Sequence, residues 1–281
     1  MILLDGKMVS QKCMKGLKEK ISNFTIRPSL SVIRVGEDQA SEIYVNLKRK
    51  MCEELGINFT EHHLNANITQ DELEGLIDQL NLDDNINAIL LQSPIPSHLN
   101  VMQAFKKISP EKDVDGFCTM NVGKLVQGED CFVACTPLGI MKLLDAYQVE
   151  LSGKNAVVIG RSNIVGRPMA QLLLNADCTV TICHSKTQNL KEITKMADIL
   201  IVAIGKPKLI TADMVKEGAI VVDVGINRVA GSKKIYGDVD FEQVKDKCSY
   251  ITPVPGGVGP MTIATLMNNI VIAYEKQHSK R

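Results

Sequence analysis

Short apolar runs and stretches of helical period alternate along this chain. In the first half, residues 30–35, 57–62 and 87–91 are short, largely apolar runs, and each predicts a strand. Between them, residues 41–55 and 69–80 place apolar side chains three and four apart, and Gly56 supplies a C-cap for the first helix. In the second half, residues 156–159, 179–183, 199–204 and 220–224 read as strands hydrophobic enough to be buried on both faces. Residues 261–275 predict a closing helix, with Pro260 suited to its first turn. Residues 109–130, rich in Gly and charge, break the alternation and read as the region between two α/β units. The pattern predicts an α/β protein built on parallel sheets with helices on both faces.

Composition narrows what such a fold can do. The 281 residues are 45% hydrophobic and 23% charged, the balance of a globular chain large enough for about two domains. Lys plus Arg and Asp plus Glu are 32 each, so no net basic field exists to grip nucleic acid or an anionic membrane. With no Trp and 4% aromatics, a base-stacking surface is not expected. No apolar run approaches a membrane span, and Ile2, Leu3 and Leu4 before Asp5 are too few for a signal-peptide core. The eight cysteines include no CxxC pair and no HExxH accompanies them, so free thiols in a cytoplasmic protein without a metal site are expected.

Candidate chemistry then gathers at strand ends. After the strand ending at Ile159 comes Gly160-Arg161-Ser162-Asn163-Ile164-Val165-Gly166-Arg167-Pro168 and a helical run. A strand, a small-residue turn and a helix start aim backbone N–H groups at a phosphate. Ser162 stands where a dinucleotide fingerprint has its second Gly, and the P-loop pattern fails. The next strand ends Ile182-Cys183-His184-Ser185-Lys186-Thr187, without the acid that binds an NAD ribose. Arg161, Ser185 and Lys186 suit a 2′-phosphate instead, which favours NADP. In the first half, Tyr44 and Lys48 lie four apart and share a helix face, beside an apolar stripe of Ile43, Leu47, Met51 and Leu55. A lysine at the edge of the core can lose its proton near neutral pH, whereas one in the run Lys48-Arg49-Lys50 can simply be solvated. Lys50 flanks the stripe on its other side, so periodicity does not choose between the two. Leu91-Gln92-Ser93-Pro94 follows a buried strand, Asp113 and Asp115 precede a Gly turn, and Pro255-Gly256-Gly257-Val258-Gly259-Pro260 lets backbone approach a flat ligand.

Five of these pieces occur together and in order: Tyr44-x-x-x-Lys48, Gln92, Pro110-x-Lys112-Asp113-Val114-Asp115-Gly116, Gly160-Arg161-Ser162-x-x-Val165-Gly166-x-Pro168 and Pro255-Gly256-Gly257-Val258-Gly259-Pro260-Met261-Thr262. The set closely resembles the bifunctional methylenetetrahydrofolate dehydrogenase–methenyltetrahydrofolate cyclohydrolase family over essentially the whole chain. One departure is Ser93, where the family usually has Leu; it alters the wall of the substrate pocket.

The resemblance implies two α/β domains flanking a cleft, the second a Rossmann-type parallel sheet. Residues 1–138 would form a folate-binding catalytic domain completed by a C-terminal helix at 260–281, and residues 139–259 an NADP-binding domain. It implies that a methylene-bridged tetrahydrofolate passes a hydride to NADP⁺ and that the methenyl product is hydrolysed to the formyl form. By resemblance Lys48 is the central catalytic group, Gln92 orients it, Tyr44 aligns the pteridine and Asp115 bonds the pterin ring. Leu91, Ser93, Pro255, Gly256, Gly257, Val258 and Gly259 would complete the folate site. Gly160, Arg161, Ser162, Ser185 and Ile226 would meet the cofactor. A homodimer is implied as well. Two other readings are an NADP-linked dehydrogenase for a different small molecule, separable by a methenyl-folate hydrolysis assay, and a non-catalytic NADP-binding module.

Overall fold

The computed structural model describes residues 1–228 and 234–279. In chain order the elements begin with β1 (Ile2–Leu3), α1 (Gly6–Ile21), β2 (Ser29–Val35), α2 (Gln39–Leu55) and β3 (Asn58–Leu64). They continue with α3 (Gln70–Leu82), β4 (Ala88–Leu91), α4 (Val101–Lys107), α5 (Thr119–Gln127) and α6 (Cys135–Ala146). Then follow β5 (Asn155–Ile159), α7 (Gly166–Asn175), β6 (Thr179–Cys183), α8 (Leu190–Thr194), β7 (Ile199–Val202) and β8 (Ile220–Asp223). The short ribbon β9 (Asn227–Arg228) and β10 (Ile235–Tyr236), α9 (Phe241–Val244), β11 (Tyr250–Ile251) and α10 (Val258–His278) complete the order.

The chain divides into two compact units. One comprises Lys12–Cys135 and the chain from Thr265 on, around a parallel three-stranded sheet in the order β3-β2-β4. Its strands show the period of two expected of a sheet covered on both sides. Leu30, Val32, Ala88 and Leu90 pack into a core with Val45, Cys52 and Leu55 of α2 and with Leu266, Met267 and Ile270 of α10. Ile33, Val35, Ile89 and Leu91 face the opposite way, against Leu73 and Ile77 of α3 and Phe105 of α4. Helix α2 starts on an Asp38 N-cap, whose carboxylate accepts the Ser41 N–H at 2.7 Å, and ends on Gly56 at φ +79°. Helix α3 opens on a Thr69/Glu72 capping box.

The other unit comprises Met1–Gln11 and Thr136–Ala264, around a parallel six-stranded sheet in the order β1-β11-β8-β7-β5-β6. The chain leaves β5 for β6 on one side and then crosses to β7 on the other. The C-terminal ends of β5 and β7 therefore form the topological switch point where open α/β sheets bind ligands.

The predicted strands and helices are present, with four differences. Residues 109–130 lie inside the first of these units and contain α5. Strand β6 is largely exposed, because it is the last strand of its sheet and has no neighbour beyond it. Residues 1–11 group with the six-stranded sheet, because β1 pairs in parallel with β11, whereas the sequence reading ran the first domain from residue 1 to 138. The closing helix begins earlier, at Val258, and residues 280–281 of its expected range lie outside the described residues. Among the described residues no helix is long and apolar enough to cross a membrane.

Candidate active site

Helix α2 buries a different stripe from the one its apolar periodicity predicts. The buried side chains of α2 are Ser41, Val45, Cys52 and Leu55, while Ile43 is 56% exposed. The buried stripe is thus rotated from the one expected. Lys48, three residues after Val45 and four before Cys52, is partly buried at the edge of this stripe, as expected. Lys50 is exposed, so the structure separates the two lysines that periodicity left equivalent.

The Lys48 amine donates to Gln92 Oε1 at 2.7 Å. Gln92 is itself buried at the end of β4; its backbone N–H donates to Ile33 O at 2.8 Å and its Nε2 to Ser93 O at 2.7 Å. With the amide nitrogen engaged, the amide oxygen faces the lysine. Burial pushes the Lys48 pKa below its ordinary value, against the opposing pull of Asp115, Cys135 and Cys52. Burial likewise raises the Asp115 carboxyl, with the Lys48 charge opposing. Both groups are moved toward their neutral forms, a condition for exchanging protons near neutral pH.

The two acids of the 110–116 segment do different work. Asp113 is a turn acid: it accepts from the N–H groups of Phe117 and Cys118 at 3.2 and 2.9 Å and from Asn121 Nδ2 at 2.9 Å. Gly116 then turns the chain at φ +69°, where a Cβ would strike Val133 and Ala134 backbone. Asp115 is left to share the surroundings of Lys48. Lys112, in the same segment, donates to Leu80, Asn81 and Asp83 carbonyls and so closes the end of α3.

Sequence reasoning missed two groups beside this segment. The Cys135 thiol, close to Asp115, donates to Val114 O at 3.4 Å, and Asn269 Nδ2 donates to the same carbonyl at 2.9 Å. Burial holds the Cys135 thiol well above its usual pKa and pushes Cys52 up to about 12, so both remain protonated. The polar Asn269 in the apolar α10 was the available signal. Of the remaining expected folate contacts, Leu91 is buried at the end of β4, Ser93 is exposed beside Gln92, and Tyr44 is 46% exposed one turn before Lys48. Pro255, Gly256, Gly257, Val258 and Gly259 belong to the other unit. There Gly256 adopts φ +111° and its carbonyl accepts the Lys7 N–H at 2.9 Å.

The expected cofactor residues gather on the unit of the six-stranded sheet. Gly160 ends β5 at φ +129°; a Cβ there would run into Ala203 O, and one on Gly166 into the Gly160 carbonyl. These contacts leave the turn closed down on the start of α7. The Ser162 hydroxyl accepts from the N–H groups of Val165 and Gly166 at 3.1 and 3.4 Å, which explains why a serine serves where a glycine was expected. Strands β5 and β6 are adjacent, and Gly160 N–H donates to Cys183 O at 2.9 Å, so Arg161 and Ser185 begin neighbouring turns. Both are exposed, as is Lys186, and residues 184–187 carry no acid. Ile226, 53% exposed, follows β8 at the same edge of the sheet. A helix N-terminus over a glycine cradle, flanked by cationic and hydroxyl side chains, fits a nucleotide bearing an additional phosphate.

Comparison with known proteins agrees with this geometry. Residues 4–115 match the family model for the tetrahydrofolate dehydrogenase/cyclohydrolase catalytic domain, and residues 134–278 match that for its NAD(P)-binding domain. The chain is 56% identical over 283 residues to a protein of Campylobacter concisus named bifunctional protein FolD, covering 100% of each. A crystal structure of the FolD methylenetetrahydrofolate dehydrogenase/cyclohydrolase from Campylobacter jejuni is 55% identical with TM-score 0.96, over 98% of this chain and 99% of that one. The corresponding enzyme from Trypanosoma brucei, described as complexed with NADP cofactor and inhibitor, is 38% identical with TM-score 0.94, over 100% and 99%. Both halves of the sequence and its full length are accounted for, and the chain belongs to the tetrahydrofolate dehydrogenase/cyclohydrolase family.

Proposed function

We propose that this protein oxidises 5,10-methylenetetrahydrofolate to 5,10-methenyltetrahydrofolate with NADP⁺ and hydrolyses the product to 10-formyltetrahydrofolate, interconverting one-carbon units. The observation that carries the reading is the part-buried Lys48–Gln92 hydrogen bond beside Asp115 in a chain of this family. NADP⁺, when bound, supplies the acceptor for a hydride leaving the methylene carbon. That departure is driven by a folate nitrogen lone pair, so the protein's part is alignment more than base catalysis. Tyr44 packs along the pteridine, Asp115 hydrogen-bonds the pterin ring, Leu91 and Ser93 wall the pocket, and residues 255–259 line the folate. Gly160, Arg161, Ser162, Ser185 and Ile226 hold the cofactor, with Arg161 and Ser185 on the 2′-phosphate.

In the hydrolytic step water adds to the cationic methenyl carbon. Lys48, whose burial favours the neutral amine, accepts a proton from that water as the C–O bond forms. It returns a proton to the ring nitrogen as the carbon–nitrogen bond breaks, and one proton leaves to solvent over the cycle. Gln92 keeps the amine oriented throughout. Ser93 offers the folate a hydroxyl where other members of the family carry an apolar wall. The protein works as a cytoplasmic homodimer in this reading. Purified protein given methylenetetrahydrofolate and each nicotinamide cofactor tests it: NADP⁺-dependent appearance of the methenyl product, followed by its decay, is expected. Cofactor binding with no folate-dependent absorbance change would defeat it.

A further inference from the structure

Two buried carboxylates in the unit of the six-stranded sheet have no part in the chemistry above. Asp223, at the end of β8, is 3% exposed and Asp238 is fully buried. Neither is paired with a cation among the described residues; each is held by N–H donors. Asp223 accepts from the backbone N–H groups of Gly225, Asp238 and Val239, all at 2.9 Å. Asp238 accepts from Ile204 N–H at 2.7 Å, Gly205 N–H at 2.9 Å and Asn227 Nδ2 at 2.8 Å. The glycines between them leave no room for change: a Cβ on Gly225 would overlap the Asp238 carboxylate, and one on Gly237 the Asp223 carboxylate.

The consequence is local. Ile226 sits between Gly225, tied by its backbone to Asp223, and Asn227, tied by its side chain to Asp238. Asp223 also donates its own N–H to Thr252 Oγ1 at 2.8 Å, and Thr252 is 1% exposed at the base of the 253–257 loop. That loop packs on Thr252, since a Cβ on Gly257 would lie 2.7 Å from Thr252 Cβ. The acid pair therefore anchors the exposed Ile226 segment, while the Asp223 backbone holds Thr252 at the base of the glycine loop. Burying two carboxylates on N–H donors is costly, and burial pushes Asp223 up to about 6, so the arrangement is an expensive way merely to close a turn.

We infer that Asp223 and Asp238, with Asn227 on the Asp238 carboxylate and Thr252 on the Asp223 backbone, are positioning residues that register the Ile226 segment against the 253–257 loop for hydride transfer. The inference rests on the function proposed above, in which Ile226 meets the nicotinamide and the loop meets the folate. Hydride transfer needs both segments in register, while hydrolysis needs only the folate side. Misplacement by about 1 Å can cost up to ~10²-fold in a step that depends on alignment.

Asn227→Ala removes one tether and leaves both carboxylates with backbone donors. Its dehydrogenase kcat is expected to fall roughly 10- to 100-fold, with KM for NADP⁺ and the rate of methenyltetrahydrofolate hydrolysis unchanged. Thr252→Val keeps the shape but removes the hydroxyl, and is expected to raise the folate KM in both reactions. Equal loss of both rates in Asn227→Ala, through unfolding or otherwise, would overturn the inference. So would wild-type rates in both reactions, or an unchanged folate KM in Thr252→Val. A wild-type protein lacking both activities would instead sink the functional reading itself.

Discussion

At the scale of single residues, burial decides which groups carry charge. Burial pushes the Lys48 pKa down, and its amine donates to a neutral amide oxygen. Gln92→Glu would put a carboxylate at that position. An opposite charge so close raises a lysine pKa. The neutral amine then becomes scarcer at pH 7. Methenyltetrahydrofolate hydrolysis should slow there, and its pH profile should move to higher pH; an unmoved profile would show that the protonation state of Lys48 does not control the step. Arg161 makes a second case. If it meets the 2′-phosphate, Arg161→Ala should weaken NADP⁺ binding by about 1.5–3 kcal/mol, the worth of a charged hydrogen bond, and leave NAD⁺ almost unaffected. Titration calorimetry with both cofactors decides this, and equal losses would assign Arg161 to the turn or the pyrophosphate. These residues stand out in the sequence as motifs, and the family resemblance singles out Lys48. Periodicity alone does not choose it over Lys50, because the buried face of α2 is set by Val45, Cys52 and Leu55 packing on α10, whose course no local pattern reveals.

At the scale of elements, legibility followed periodicity. Strands β2, β4, β5, β7 and β8 lie close to their predicted ends, because a parallel strand covered on both faces is predominantly apolar. Helix α1 passed unread: its Gly16 and five lysines obscure the apolar stripe. Helix α6 holds Pro137 and Gly139 in its first turns, residues that ordinarily punctuate chains. Strands β1 and β11 are two residues each and exist through pairing across the length of the chain, which no window of sequence contains. The buried acid at the end of β8 gives an element-scale prediction. Burial pushes the Asp223 carboxyl up to about 6, so the folded chain holds that proton more tightly than the unfolded chain does. Between about pH 4 and pH 6 the folded state therefore loses stability as pH rises, by at most about 3 kcal/mol from this group. Asp223→Asn removes the titration. Urea unfolding should show the wild type's stability advantage over that variant shrinking by up to this amount from pH 4 to pH 7. A gap that stays constant, or widens, would show that Asp223 ionises normally.

At the scale of the whole molecule, the proposed chemistry draws on both units. One carries Tyr44, Lys48, Gln92 and Asp115, and the other carries the glycine-cradled turn and the 255–259 loop. The division of labour was legible as five ordered motifs. The allotment of residues 1–11 to the second sheet was not, because it depends on the long-range pairing of β1 with β11. The homodimer in the proposed function predicts a solution mass of twice the chain by light scattering, and a monomer at micromolar concentration would remove it. The central claim is that the buried amine of Lys48 performs the hydrolytic proton transfer. Lys48→Met keeps the length and apolar stem of the side chain while deleting the nitrogen, so α2 should keep its packing. The most direct measurement is the rate of methenyltetrahydrofolate hydrolysis by Lys48→Met beside Lys50→Met, with NADP⁺ affinity recorded for both. A fall of at least ~10²-fold is expected for Lys48→Met, with near wild-type NADP⁺ binding, and almost no change for Lys50→Met. Retention of most of the hydrolase rate by Lys48→Met would contradict the account.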